Sequence, residues 1–209
     1  MSKPTRRRRS IRLKGYDYTQ SGGYFVTICT HQQTDLFGAV IDDEMRLNAY
    51  GQIAYHEWLK SAEIRQEIEI DEFVVMPNHL HGIVFINKDV SRRGDDLPAH
   101  RRGEWPVHRR GDRPVAPTAR GPAPKSLGAL MAGYKSAVTK QINQRRGSPG
   151  APVWQRNYYE HIIRNEKSLD AIREYIAQNP RRWALDRYNP EAVGQDPHAA
   201  TLWKLLQEN

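Results

Sequence analysis

The sequence predicts an α+β fold, an antiparallel sheet with helices on one side, and three observations carry that expectation. Runs rich in β-branched and aromatic residues, bounded by turn residues, recur at 24–30, 68–76, 79–87 and 158–164. Apolar residues at three- and four-residue spacing mark amphipathic helices over 48–65, 126–146 and 166–178. The order is strand, hairpin, helix, strand, strand, helix, strand, helix, which suits a split βαβ, ferredoxin-like (RRM-like) sheet.

Each element has its own signal. Residues 24–30 are a strand by propensity alone. Residues 36–41 form a second strand that returns through Asp42-Asp43-Glu44 into Met45-Arg46-Leu47. Asn48 has the chemistry of a helix cap, and Ile53, Ala54, Trp58 and Ala62 make the apolar stripe beyond it. Residues 68–76 start as alternation and end as a continuous apolar run, as in a strand entering a core. Pro77-Asn78 is too short to be anything but a tight link, so 79–87 pairs with it as a hairpin. Ser126 caps the next helix, with Leu127, Leu130, Met131, Tyr134, Val138 and Ile142 on its buried face. Val153-Trp154-Gln155 and residues 158–164 supply the last strand. Leu169, Ile172 and Ile176 line the final helix, which Pro180 stops.

Charge is distributed unevenly. The chain of 209 residues carries a formal charge of +8, 38% hydrophobic residues and a mean hydropathy of −0.78. Residues 1–15 hold seven basic residues, Arg6, Arg7, Arg8, Arg9 and Arg12 among them, and no acid. Residues 88–125 hold ten basic and five acidic residues. Here Arg92-Arg93-Gly94-Asp95, Arg101-Arg102-Gly103-Glu104 and Arg109-Arg110-Gly111-Asp112 repeat one unit without apolar content, so this stretch reads as a disordered insert. The remainder is therefore net acidic. The organisation expected is a basic arm at 1–15, a domain at 16–185 interrupted by the insert at 88–125, and a loosely packed tail at 186–209. Basic arms around a net acidic core suit a polyanionic partner, and equally suit solvated tails. The apolar runs are far short of a membrane span. No apolar segment follows the basic N-terminus, as a secretory signal would need. The single cysteine, Cys29, excludes an internal disulfide framework and fits a reducing cytoplasm.

Two constellations could carry chemistry. His79 and His81 lie one residue apart in the most apolar run, so on a strand they share a face, with Cα atoms roughly 7 Å apart. Alone, such a pair reads more readily as two half-buried, hydrogen-bonded histidines than as metal ligands. Tyr175 and Asn179 stand at i and i+4 of the last helix, one above the other. Alone, they read as a rim aromatic and a helix cap before Pro180.

Together, and in order, these pieces resemble a known family. Met76-Pro77-Asn78-His79-Leu80-His81-Gly82, then Trp154-Gln155, Tyr158-Tyr159-Glu160-His161-Ile162-Ile163-Arg164, and Tyr175-Ile176 with Asn179-Pro180 are similar to the motifs of the REP-associated tyrosine transposases, within the single-tyrosine HUH group. The opening 11–18 running into 24–27 is similar as well. The resemblance covers roughly residues 10–87 and 126–185. It implies that His79, His81 and Asn179 hold a divalent cation, Mg²⁺ or Mn²⁺, and that Tyr175 is the nucleophile. It implies cleavage of single-stranded or hairpin DNA through a 5′-phosphotyrosine link, by a cytoplasmic, nucleoid-associated protein acting as a monomer or homodimer. Arg6 to Arg9, Arg12, Tyr16, Tyr18, Lys135, Arg145 and Arg146 are the candidates for holding DNA. Two other readings remain open on the residues: a non-catalytic binder of single-stranded or hairpin nucleic acid, and a hydrolase whose histidine pair holds a water-activating metal.

Overall fold

The computed structural model describes residues 17–87 and 121–207. The expected basic arm, with Arg6 to Arg9, Arg12 and Tyr16, lies outside the described residues, as does most of the expected insert.

Four strands form the sheet: β1 (Gly22–Cys29), β4 (Ile68–Val75), β5 (His79–Ile86) and β6 (Tyr159–Ile163). Their order is β4-β5-β1-β6, and every pairing is antiparallel. With α1 (Ala49–Glu63) between β1 and β4, and α2 (Leu127–Arg145) between β5 and β6, this is the ferredoxin-like arrangement expected from the sequence. A separate hairpin of β2 (Gly38–Ile41) and β3 (Glu44–Leu47) precedes α1. Asp42 and Asp43 make its turn with φ of 52° and 61°, the mirror-image geometry that matches the twist of paired strands. Asn48 caps α1 through its side-chain oxygen, which accepts from Tyr50 N and Gly51 N at 2.8 and 3.0 Å. Ser126 likewise caps α2.

Helices cover both faces of the sheet, which corrects the expectation of one. Tyr24, Val26 and Ile28 of β1 point toward α1 and α2 and meet Trp58, Tyr134, Val138 and Ile142. Phe25 of β1, with Ile83, Phe85 and Ile163, meets Leu169, Ile172 and Ile176 of α3 (Glu166–Gln178) and Leu202 and Leu206 of α4 (Pro197–Gln207). The reason is visible in β5: all eight of its residues are buried, so both of its faces need cover. Gly82 belongs to this packing. A Cβ there would lie 2.7 Å from Cζ2 of Trp58, so only glycine lets that indole settle on the strand.

A second correction concerns the tail. Beyond α3 the chain continues as a 3₁₀ turn, Pro180–Leu185, and then α4, whose Leu202 and Leu206 are buried. It packs closely rather than loosely, because it closes the second core. Among the described residues, no helix is long and apolar enough to cross a membrane.

Candidate active site

The site forms where β1, β5 and α3 meet. Thr27 pairs with His81 and Cys29 with His79 across the β1–β5 ladder. Alternation sends Thr27, His79 and His81 to the α3 side. Both imidazoles are fully buried, with ring centroids 4.5 Å apart.

A neighbouring amide sets the tautomer of His79. Asn78 is itself fully buried, and its Nδ2 donates to Tyr188 O at 2.8 Å and Gln33 O at 3.2 Å. Two carbonyl partners fix which end of the amide is nitrogen. Its Oδ1 therefore faces His79 Nδ1 at 2.9 Å and can only accept, so Nδ1 carries the proton. His79 Nε2 is left with a lone pair, buried and without a hydrogen-bond partner. His81 has a matching arrangement, with Nδ1 2.8 Å from Thr27 Oγ1. In the tautomer that donates to Thr27, its Nε2 accepts from the Tyr175 hydroxyl at 3.2 Å.

Tyr175 comes from α3. Asn165 caps that helix by accepting from Ser168 N at 2.8 Å, and the stripe Leu169, Ile172, Tyr175, Ile176 turns inward. Arg173, on the flank of the same helix, is tied to Asp71 of β4 by Nε–Oδ1 at 3.0 Å and Nη2–Oδ2 at 2.5 Å. Asp71 lies in the β4 irregularity between Ile70 and Phe73. Asn179 caps the C-terminus of α3 and is buried. Its Nδ2 donates to Asp186 Oδ2 at 3.0 Å, while its Oδ1 is buried without a partner. That oxygen belongs to a side chain lying beside His79.

Asp186 is the residue that sequence reasoning missed. Its carboxylate, His79 and His81 each offer a ligand atom, and these atoms lie within 4.8 Å of one another. Its signal was weak: Asp186 follows Asn179 by seven residues, across a proline. Pro180 ends the α-helix but is well suited to the first turn of the 3₁₀ segment, which carries the chain back to the site. Two imidazole nitrogens, a carboxylate oxygen and an amide oxygen form a mixed donor set suited to a divalent cation. The unpartnered, buried His79 Nε2 and Asn179 Oδ1 are the observation that favours one, since two lone pairs without a hydrogen between them are costly in a core.

Electrostatics agree with that fit. Burial pushes His79 down to about 3. Burial, reinforced by His79 and Arg187, takes His81 well below the usual imidazole value. Both rings are thus neutral, as ligands must be. Burial raises the Asp186 carboxyl, opposed by its bonds from Tyr188 N and Asn179. Burial also raises the Tyr175 phenol, with the charges of Asp186 and Tyr188 adding to it.

The segment after α3 roofs the site. The Tyr188 ring lies 4.6 Å from that of His79 and 5.9 Å from that of His81. Trp203 of α4 stands 6.2 Å from Tyr175, and the Arg187 guanidinium lies over both Tyr188 and Trp203. Tyr175 is consequently only 6% exposed.

The fold thus brings His79, His81, Tyr175 and Asn179 together. Lys135 and Arg145 lie on α2 and Arg146 at its C-terminal cap, across the sheet, with Arg145 exposed. Lys135 Nζ donates to Gln155 O, and Arg146 Nη2 to Pro152 O. Tyr18 is half-buried against the α1–α2 core, 6.2 Å from Tyr24, rather than free for stacking.

No family model matches the chain. It is 41% identical over 180 residues to an uncharacterized protein of Haemophilus influenzae, covering 86% of this chain and 92% of that one. Among solved structures it is similar to a REP-associated tyrosine transposase bound to a REP hairpin, at 20% identity and a TM-score of 0.45, covering 84% of this chain and 74% of that chain. It is also similar to a Deinococcus radiodurans protein for which a transposase role has been put forward, at 14% identity and a TM-score of 0.38, covering 79% of this chain and 96% of that chain.

Proposed function

This chain belongs to one family with the Haemophilus influenzae protein, and on the geometry of its buried site we propose that it is a metal-dependent DNA strand transferase of the tyrosine transposase kind. One observation carries the reading: the Tyr175 hydroxyl stands 3.2 Å from His81, beside a three-residue donor cluster of His79, His81 and Asp186. A phenol next to a cation site is the equipment for breaking a phosphodiester without water.

In this reading Tyr175 Oη attacks the scissile phosphorus and the P–O3′ bond breaks. The DNA 5′ end is left on tyrosine, the phenolic proton is lost, and the departing 3′ oxygen gains one. Attack by another 3′-OH reverses the step and rejoins strands. His79, His81, Asp186 and the Asn179 amide oxygen would hold the divalent cation, Mg²⁺ or Mn²⁺, which supplies polarisation of a non-bridging phosphate oxygen. Asn78 holds His79 in the tautomer that presents Nε2, and His81 presents its own Nε2 when its Nδ1–H donates to Thr27 Oγ1. In that tautomer the Tyr175 hydroxyl occupies the His81 lone pair that a cation held here would need. All five side chains come from one chain. The substrate class is single-stranded or hairpin DNA.

The test is a covalent adduct. Wild-type protein incubated with Mn²⁺ and a hairpin oligonucleotide from DNA flanking its gene yields a protein–DNA species that survives denaturation, and Tyr175→Phe yields none. Cleavage without an adduct would assign the site to hydrolysis instead.

A further inference from the structure

The roof of the candidate site carries an arginine that is placed unlike others in the fold. Arg46, Arg173 and Arg182 rest on the carboxylates of Glu44, Asp71 and Asp196. Arg187 rests on rings. Its Cζ lies 5.2 Å from the Tyr188 centroid and 5.6 Å from that of Trp203, and among the described residues its guanidinium forms no ion pair or hydrogen bond. A guanidinium drawn to a ring face keeps its fork of N–H donors for an anion. Arg187 is also exposed, so an anion can reach it.

Its position is fixed from both sides. Tyr188 N donates to Asp186 Oδ1 at 2.6 Å, closing a turn around Arg187, and Tyr188 O accepts from Asn78 Nδ2 at 2.8 Å. Asp186 belongs to the donor cluster, and Asn78 orients His79. The two rings under the guanidinium border the site itself: Tyr188 lies 4.6 Å from the His79 ring and Trp203 6.2 Å from that of Tyr175. His81, Tyr175 and Asp186 all feel the Arg187 charge, although burial is the larger influence on each. Much of the side-chain freedom that a long cation loses on gripping an anion is already lost here.

We infer that Arg187 holds a phosphate of the substrate strand at the mouth of the Tyr175 site, through a two-point contact from its guanidinium. The inference rests on the DNA-transferase reading above and adds to it the contact that docks the strand. A phosphodiester presents two non-bridging oxygens, which match the arginine fork. A strand docked in this way lies against the cover that Tyr188 and Trp203 form, and the contact does not depend on which bases it carries.

The experiment is fluorescence anisotropy on the full chain without divalent cation. The probes are the labelled hairpin oligonucleotide from DNA flanking its gene and a set of the same hairpin in which one linkage at a time is a neutral methylphosphonate. Arg187→Ala weakens binding of the plain hairpin by about tenfold at low salt and lowers the slope of log affinity against log salt by about 1. Arg187→Lys, which keeps the charge without the fork, restores the slope and part of the affinity. At one linkage the methylphosphonate lowers wild-type affinity and abolishes the difference between wild type and Arg187→Ala, since the contact is then already gone. An arginine that only straps the rings together would leave the salt slope and the methylphosphonate pattern the same in both proteins. An unchanged slope in Arg187→Ala, a loss that persists at every linkage, or a wild type without affinity for the hairpin overturns the inference. Adduct formation with Mn²⁺ is scored on the same hairpins. An uncoupling linkage with no adduct in wild type sinks the transferase reading and leaves the Arg187 contact standing; an adduct with no uncoupling linkage does the reverse.

Discussion

At the scale of single residues, the arrangement around His79 is one of lone pairs. Asn78 spends both amide hydrogens on carbonyls and its oxygen on His79 Nδ1, so the ring has no choice of tautomer. Replacing Asn78 by Leu frees the ring to flip and takes this partner from the Tyr188 and Gln33 carbonyls. Divalent-cation affinity, measured by titration calorimetry with Mn²⁺, is expected to fall by about 10- to 100-fold, as outer-shell losses do. Asp186→Asn removes the one carboxylate of the cluster and should lower the same affinity at least as far, while leaving the fold intact by circular dichroism. An unchanged isotherm for both variants would mean that no cation binds here.

At the scale of elements, the question is how α3 holds a phenol against a strand. Its inner stripe is packed, and Ile172→Ala should cost about 2–5 kcal/mol in chemical denaturation. The Asp71–Arg173 clamp is a different kind of contact. The Arg173 side chain is 39% exposed, so the pair contributes only about 0–1 kcal/mol to stability. It is nonetheless a two-point tie from the β4 irregularity to the residue two before Tyr175. Asp71→Ala should thus leave the melting temperature nearly unchanged and slow adduct formation without weakening hairpin binding. A fall in binding with an unchanged rate would place Asp71 at a DNA contact instead.

For the whole molecule, burial dominates. His79 and His81 have no exposure; Tyr188 lies against them, and Trp203 of α4 stands beside Tyr175. A phosphate reaches Tyr175 only when that cover shifts, so Tyr188→Ala should speed adduct formation and raise the rate of His79 and His81 modification by diethylpyrocarbonate. Burial also sets the response to acid. His79 is pushed down to about 3 and His161 to about 4, against roughly 6.5 in an unfolded chain. Below that pH the unfolded chain takes up protons that the folded chain refuses. Stability of the chelator-treated protein is therefore full above pH 6.5 and falls as pH drops toward 3, the His161 share levelling near 4 and the His79 share near 3 as the folded rings protonate. His79 contributes at most about 1.4 kcal/mol per pH unit across that window. Denaturant midpoints at pH 7, 5.5 and 4.5 check this; a flat series would mean that the rings are not buried as neutral species.

What the sequence determined by itself was local. Propensity, caps and periodicity locate β1, both partners of the β4–β5 hairpin, α1, α2 and α3 to within a residue or two, because Asn48, Ser126 and Pro180 act on their immediate neighbours. The i, i+2 spacing of His79 and His81 and the i, i+4 spacing of Tyr175 and Asn179 could be read for the same reason: each lies within one element. The tertiary structure alone decided that α3 packs on the histidine face, since β5 is apolar on both sides and its pattern says nothing about which helix covers which. It also brought in Asp186, a carboxylate beyond α3 with no periodicity to mark it, and it turned the tail, with Trp203, into the roof of the site. Contacts made across 94 residues, as between His81 and Tyr175, follow from packing, and packing is not written in any one stretch of the chain.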